Sequence, residues 1–141
     1  MTALRLSIPP LPRFAGTARR AFGRFADSHG LTPRDAESLT FALGEAVANA
    51  IQHSGSDDAI EIYVRREKHA VVATISDRGC GFDVPPAEAT RLPSVYAESG
   101  RGLAIMRRCT DFLEVCSKRG GGTVVTLGRY CGNRQELASV S

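Results

Sequence analysis

Apolar positions along the chain alternate at first, then recur at helical spacing, then alternate again. Leu4, Leu6 and Ile8 alternate with other residues and predict a short first strand, which Pro9 and Pro10 end. From about Arg13 to His29 the apolar residues Phe14, Ala18, Ala21, Phe22 and Phe25 recur at helical spacing, and Gly30 offers a C-terminal stop. Arg13, Arg19, Arg20 and Arg24 fall on the other side, so this helix is amphipathic with a basic outer face, either simply solvated or used against a partner or subunit. Thr32-Pro33-Arg34-Asp35 reads as the next helix start, with Thr32 able to cap, Pro33 suited to the first helical position and Asp35 in the first turn. That helix runs for roughly 20 residues to near His53, where Ser54-Gly55-Ser56-Asp57-Asp58 reads as a turn.

Ile60, Ile62 and Val64 alternate with Glu61, Tyr63 and Arg65, and a second strand-like run, Ala70 to Asp77, follows the turn Glu67-Lys68-His69. The pair predicts a hairpin. Between Phe82 and Ser99 no period survives Pro85, Pro86 and Pro93, giving a loop of roughly 17 residues, a length more often functional than idle. Leu103 to about Cys109 resumes a helical pattern, Phe112 to Ser117 and Thr123 to Tyr130 read as strands around Lys118-Arg119-Gly120-Gly121-Gly122, and the tail from Cys131 reads as polar and frayed. Helices and hairpins thus come in blocks. The expected fold is an α/β two-layer sandwich, helices on one largely antiparallel mixed sheet, and not a doubly wound parallel sheet.

The second helix contains the most informative stretch. From Leu39 to Ile51 the only polar side chains are Thr40, Glu45 and Asn49, so the segment is expected to be apolar on nearly every side and buried. Residues four apart on a helix differ by about 40° and about 6 Å of rise, which puts Glu45 and Asn49 on one face. A buried carboxylate is costly without partners. That face therefore meets either a cavity holding polar ligands or a satisfied internal network.

Composition narrows the class without choosing the chemistry. The chain has 141 residues, 43% hydrophobic and 23% charged, the make-up of an ordinary globular domain with a core of its own. A net charge of +3 suits an anionic ligand such as a nucleotide as well as it suits nucleic acid. The basic residues stand in pairs (Arg19-Arg20, Arg65-Arg66, Arg107-Arg108, Lys118-Arg119) rather than in one run interleaved with aromatics, which disfavours direct nucleic-acid binding. Cys80, Cys109, Cys116 and Cys131 form no C-x-x-C pair, so free buried thiols are expected rather than a zinc site or redox motif. The N-terminus lacks an apolar core of signal-peptide length, and no apolar run approaches the roughly 18 residues of a membrane span, so a cytoplasmic protein is expected.

Two phosphate-binding motifs can be set aside. No G-x-x-x-x-G-K-[ST] occurs, and Gly79-Cys80-Gly81 lacks the third glycine of a dinucleotide fingerprint and leads into Pro85-Pro86 rather than a helix. What does occur is an ordered series: Glu45 and Asn49 on a helix, Asp77-x-Gly79-x-Gly81 after a strand, Gly100-x-Gly102 opening a helix after a loop, and Gly122-Thr123 opening the last strand. In that order the features resemble the boxes of the GHKL ATPases, over roughly Asp35 to Tyr130. Within that superfamily Ala42 to His53 is most similar to the helix of the bacterial anti-sigma-factor serine kinases.

The resemblance implies the Bergerat ATP-binding fold in one domain, residues 1–141. Residues 1–31 would be an N-terminal strand and helix offering a dimer or partner surface, 32–130 the ATP-binding core and 131–141 a tail. It implies that Asn49 holds Mg²⁺ bridging the phosphates of ATP and that Glu45 is the general base for a partner serine. Asp77 would accept a hydrogen bond from the adenine amine with Thr123 in support, and Gly79 and Gly81 would let backbone approach the base. The intervening loop would close as a lid, and the amides from Gly100 through Arg101 and Gly102 to Leu103, with the Arg101 side chain nearby, would take the phosphates. The residues taken singly leave alternatives open. Asp77 before Arg78-Gly79 also suits a turn, Arg101 also suits a solvated loop, and His53 and Cys80 read as helix-end and packing residues. Nothing before Thr32 is long enough for the helical hairpin carrying a phospho-acceptor histidine, which disfavours His-to-Asp signalling.

Two functions follow from the resemblance. One is a Mg·ATP-dependent protein serine kinase acting as an anti-sigma factor, a stand-alone kinase in size and a homodimer, that binds a sigma factor and phosphorylates a STAS-domain anti-anti-sigma partner, away from membrane and nucleic acid. The other is an ATP-binding switch module that transfers nothing. A basic nucleic-acid-binding domain is the third class, separable by salt-dependent binding indifferent to ATP.

Overall fold

Alternating apolar residues on five strands line up into continuous rows. In the computed structural model, which describes residues 3–53, 55, 57–78, 101–117 and 121–131, the strands are β1 (Ala3–Ile8), β2 (Ile60–Arg66), β3 (Ala70–Asp77), β4 (Phe112–Ser117) and β5 (Thr123–Tyr130). They form one sheet in the order β1-β2-β3-β5-β4, and every pairing is antiparallel. The mixed character expected of the sheet is therefore absent among the described strands. Register places Leu6 beside Ile62, Ile62 beside Ile75, Ile75 beside Val125 and Val125 beside Val115. Side chains alternate between the faces of a strand, so these rows lie on one side and carry the core.

The helices cover that side. A 3₁₀ turn (Pro12–Phe14) leads into α1 (Ala15–Asp27), followed by α2 (Pro33–His53) and, later, α3 (Arg101–Cys109). α1 and α3 flank α2, and α2 packs on β3 and β5. Ala18, Phe22, Phe25 and Ala26 of α1 are buried, leaving Arg19, Arg20 and Arg24 exposed, as the 3.6-residue spacing requires. Thr32 caps α2 by accepting a hydrogen bond from the Asp35 N–H at 3.1 Å. No described helix is long and apolar enough to cross a membrane.

Two expectations are corrected. α2 is not covered on nearly every side: Phe41 is 52% exposed and Ala48 is exposed, because α1 and α3 cover its flanks and the described residues leave a stripe of its outer side uncovered. The frayed tail does not begin at Cys131 either. Its N–H donates to His69 O at 2.8 Å and its buried thiol reaches the carbonyl of His29, at 3.8 Å. The remaining tail, 132–141, lies outside the described residues.

One corner fixes the direction of both main helices. Arg129, near the end of β5, pairs with Asp35 in the first turn of α2 at 2.8 Å and donates to the carbonyl of Cys109, the last residue of α3, at 3.0 Å. The start of α2, the end of α3 and the end of β5 therefore meet.

On the far face, Gly128 sits where Phe112 of the neighbouring strand lays its ring across the backbone. A Cβ there would overlap that ring and approach Val71 O to 2.8 Å. Gly128→Ala should destabilise the protein by about 1–3 kcal/mol, the usual cost of overpacking. Urea unfolding measures it, and an unchanged midpoint would mean that the ring moves freely.

Candidate functional site

Starting from the Arg129 corner, helix and strand lengths show what shares the opposite end of the sheet. Asn49 lies fourteen residues after Asp35, a rise of about 21 Å on α2. Thr123 lies six residues before Arg129, about 20 Å along β5. Because α2 leaves the salt bridge and packs over β3 and β5, these lengths direct Asn49 toward the end of the sheet that holds Thr123. Thr123 is in turn the register partner of Asp77, the last residue of β3. Asn49, Asp77 and Thr123 are the buried polar residues among those described, 6%, 6% and 4% exposed.

Glu45 stands one turn before Asn49 and is half-buried, at the boundary between the core side of α2 and its exposed stripe. The Asn49 Nδ2 is buried with no hydrogen-bond partner among the described residues. A buried amide left unpaired costs about 1–3 kcal/mol, so its persistence marks either a strained network or a ligand position. Rotation about χ2 exchanges nitrogen for oxygen, and an amide oxygen is a donor atom that a hard cation accepts. The residue therefore fits a Mg²⁺ ligand.

α3 converges on the same end. Its C-terminal Cys109 is tied to the α2 start through Arg129, and Ile105 shares a groove with Phe41, so α3 runs antiparallel to α2. One further turn directs its first residues, Arg101, Gly102 and Leu103, toward the level of Glu45. A helix N-terminus presents free N–H groups and the positive end of the dipole to an anion. Gly79, Gly81, Gly100 and the expected lid lie outside the described residues, as does Cys80.

Sequence reasoning missed Ser117. It is the register partner of Thr123 on the side away from Asp77, it shares the inward parity of Leu113 and Val115, and its Oγ is buried without a partner among the described residues. The alternation of β4 carried that signal, but the strand's partner Thr123, and so the surroundings of Ser117, follow only from the sheet pairing.

The described cysteines show no sign of reactive thiols. Cys109 and Cys116 are only half-buried, contrary to the expectation of buried thiols, whereas Cys131 is buried. Burial raises the pKa of Cys116, and so do the hydrogen bond to Glu114 and its charge. Burial likewise raises Cys131, against the opposing charge of Arg66. Reactive cysteines show the opposite shift.

Known proteins resemble this chain in sequence and in fold. The serine-protein kinase RsbW of Bacillus velezensis is 27% identical over 139 residues, covering 90% of this chain and 84% of its own. The anti-sigma F factor of Bacillus cereus (strain AH187) is 29% identical over 143 residues, covering 96% and 97%. Among solved structures, the RsbU and RsbW domains of Rv1364c from Mycobacterium tuberculosis superpose with a TM-score of 0.69 at 20% identity, over 94% of this chain and 34% of that one. The histidine kinase domain of the Erythrobacter litoralis EL346 blue-light activated histidine kinase gives 0.55 at 18%, over 94% and 65%. These two likenesses speak to the fold alone, and the chain spans about a third of the first structure's length. The model of the histidine kinase-like ATPase domain matches residues 8–129, from the end of β1 to near the end of β5, and the chain belongs to that family.

Proposed function

We propose that this chain is a Mg·ATP-dependent protein serine kinase that acts as an anti-sigma factor, phosphorylating a serine of a STAS-domain anti-anti-sigma protein. The observation that carries the reading is the buried, unpaired amide of Asn49 one helical turn from the half-buried Glu45, directed toward the end of the sheet that holds Asp77 and Thr123. It is supported by family membership and by relatives named as serine-protein kinases and anti-sigma factors.

In this mechanism Asp77 accepts a hydrogen bond from the exocyclic amine of adenine, and Thr123, its cross-strand partner, holds the same edge. Asn49 is the protein ligand for Mg²⁺, which when bound supplies charge neutralisation on the transferred phosphoryl group. The first turn of α3 and the Arg101 side chain take the phosphates. Glu45 accepts the proton of the partner serine as its oxygen bonds to the γ-phosphorus and ADP departs. Gly79, Gly81 and Gly100 complete the backbone cradle.

Domain organisation is part of the proposal. Residues 1–141 form one kinase domain, with dimerisation assigned to residues 1–31, a view supported by β1 being an edge strand of the sheet. Cytoplasmic placement fits a sigma-factor partner.

The deciding experiment incubates the protein with γ-labelled ATP and the STAS-domain proteins of the same genome. Label on a partner serine supports the kinase, whereas tight Mg·ATP binding with no transfer leaves a nucleotide switch. The base contact has its own check. Asp77→Asn should weaken ATP about 10- to 100-fold, the worth of one hydrogen bond to a charged group, and leave inorganic tripolyphosphate unaffected. Competition calorimetry separates the two, and equal losses would make Asp77 a turn residue.

A further inference from the structure

We infer that the exposed stripe of α2 around Phe41 is the dock for the protein substrate, and that this substrate presents an apolar side chain flanked by carboxylates. The inference rests on the kinase reading, because it takes Glu45 as the group that meets the partner's hydroxyl.

Phe41 is the most exposed large hydrophobic side chain among the described residues, 52% open to solvent. It is out of place on a helix whose other aromatic neighbours on α1 are buried. Four residues separate it from Glu45, so the two side chains stand on neighbouring turns, about 6 Å apart along the axis. A protein that delivers a hydroxyl to Glu45 from the solvent side must therefore pass over or beside Phe41. The turn beyond is kept low, since Ala48 is small and exposed, and the space beside Gly44, which has no side chain, is taken by the Arg19 stem.

Grooves open on both sides of the ring. Toward α1, a groove of about 290 Å³ runs between Phe41, Thr40 and Gly23, with Arg19 on its wall. Toward α3, one of about 320 Å³ is lined by Phe41, Ser38 and Ile105, with Arg108 on its wall. The Arg19 stem lies where a Cβ on Gly44 would stand, 2.6 Å from its Cδ, so the guanidinium is held beside the stripe leading to Glu45. Asp27 lines the first groove at the end nearer the α1–α2 connection, and Glu37, one turn before Phe41, lines both. Elsewhere the exposed charges of the helical layer, among the described residues, are Arg13, Arg20, Arg24, Arg34 and Arg107. An aromatic anchor between apolar grooves, rimmed by arginines, complements a partner with an apolar side chain and nearby carboxylates.

The test measures phosphorylation of the STAS-domain substrate by the full chain as a function of substrate concentration. Phe41→Ala should raise KM for the protein substrate about tenfold, the size of an interface anchor, with kcat and Mg·ATP affinity unchanged. Phe41→Leu should recover most of the loss. Arg19→Glu combined with Arg108→Glu should raise KM further, and that arm alone should remove the salt dependence of KM. An unchanged KM in Phe41→Ala overturns the dock, as does a loss confined to Mg·ATP affinity, which would assign the ring to closure over the nucleotide. A change of oligomeric state with KM unchanged would mean that a second copy covers the ring, and also overturns it. If the wild-type chain labels no STAS-domain protein, the kinase reading itself falls, an outcome distinct from failure of the dock alone.

Discussion

Glu45→Gln should lower phosphate transfer to the partner serine about a thousandfold while leaving the affinity for Mg·ATP within a factor of two. A positioned general base contributes roughly 10²–10⁴ to rate, and glutamine keeps the shape of the side chain while removing its ability to accept a proton. The half-buried position of Glu45 explains why binding should be spared: it stands where α2 turns from its core side toward solvent, and Asn49 one turn later occupies the buried position. Single-turnover transfer gives the rate and calorimetry the affinity. An unchanged rate would leave Glu45 as a surface carboxylate with no part in the proton transfer. Loss of Mg·ATP affinity in parallel would mean that Glu45 helps to hold the nucleotide, not the nucleophile.

The kinase and switch readings diverge at this residue alone. Both need Asn49, Asp77 and the start of α3, and both draw on the same family fold. Only transfer needs a carboxylate on the solvent boundary of α2, next to a route by which a second protein can approach. The exposure of Phe41 and Ala48 supplies such a route, which a helix buried on every side would have closed.

That exposure also shows where reading the sequence stops. Thr32 as a cap, Pro33 as the first helical residue and the period of Phe22 and Phe25 were legible because each is a local consequence of backbone geometry. So was the inward row of Ile60, Ile62 and Val64, since alternation is a property of the strand itself. The sides of α2 were not legible. Leu39 and Phe41 are equally apolar, and only the placement of α1 and α3 decides that one is sealed and the other open. Ser117 and Cys131 failed for the same reason. Their surroundings come from Thr123, and from His29 and His69, residues distant in sequence that pairing and packing bring near.

The candidate site mixes both kinds of information. Its residue types and order are local and suggested the family, whereas the direction of Asn49 toward the end of the sheet that holds Asp77 and Thr123 depends on the Arg129 corner, which no motif encodes. Two lengths, one along α2 and one along β5, have to agree for the site to exist. Shifting α2 by one turn, about 5.4 Å, would take the amide out of line with the strand ends.

Asn49→Ala should separate function from stability in a way that a structural residue could not. Its Nδ2 is buried without a partner among the described residues, so the protein without nucleotide carries the cost of an unsatisfied amide, about 1–3 kcal/mol. Alanine removes that cost and leaves a small void, and the two changes oppose each other. The unfolding midpoint without nucleotide should therefore hold steady or rise. With Mg·ATP the outcome reverses: the wild-type protein should gain thermal stability that grows with the logarithm of ligand concentration above Kd, and Asn49→Ala should lose most of that gain at the same concentration, because the metal has lost its protein ligand. Thermal unfolding with Mg²⁺ alone, with ATP and EDTA, and with both Mg²⁺ and ATP distinguishes the metal contribution from that of the base, which Asp77 governs. If the variant instead unfolds several degrees lower without nucleotide and keeps the full Mg·ATP shift, Asn49 belongs to an internal network, the alternative that its spacing from Glu45 left open.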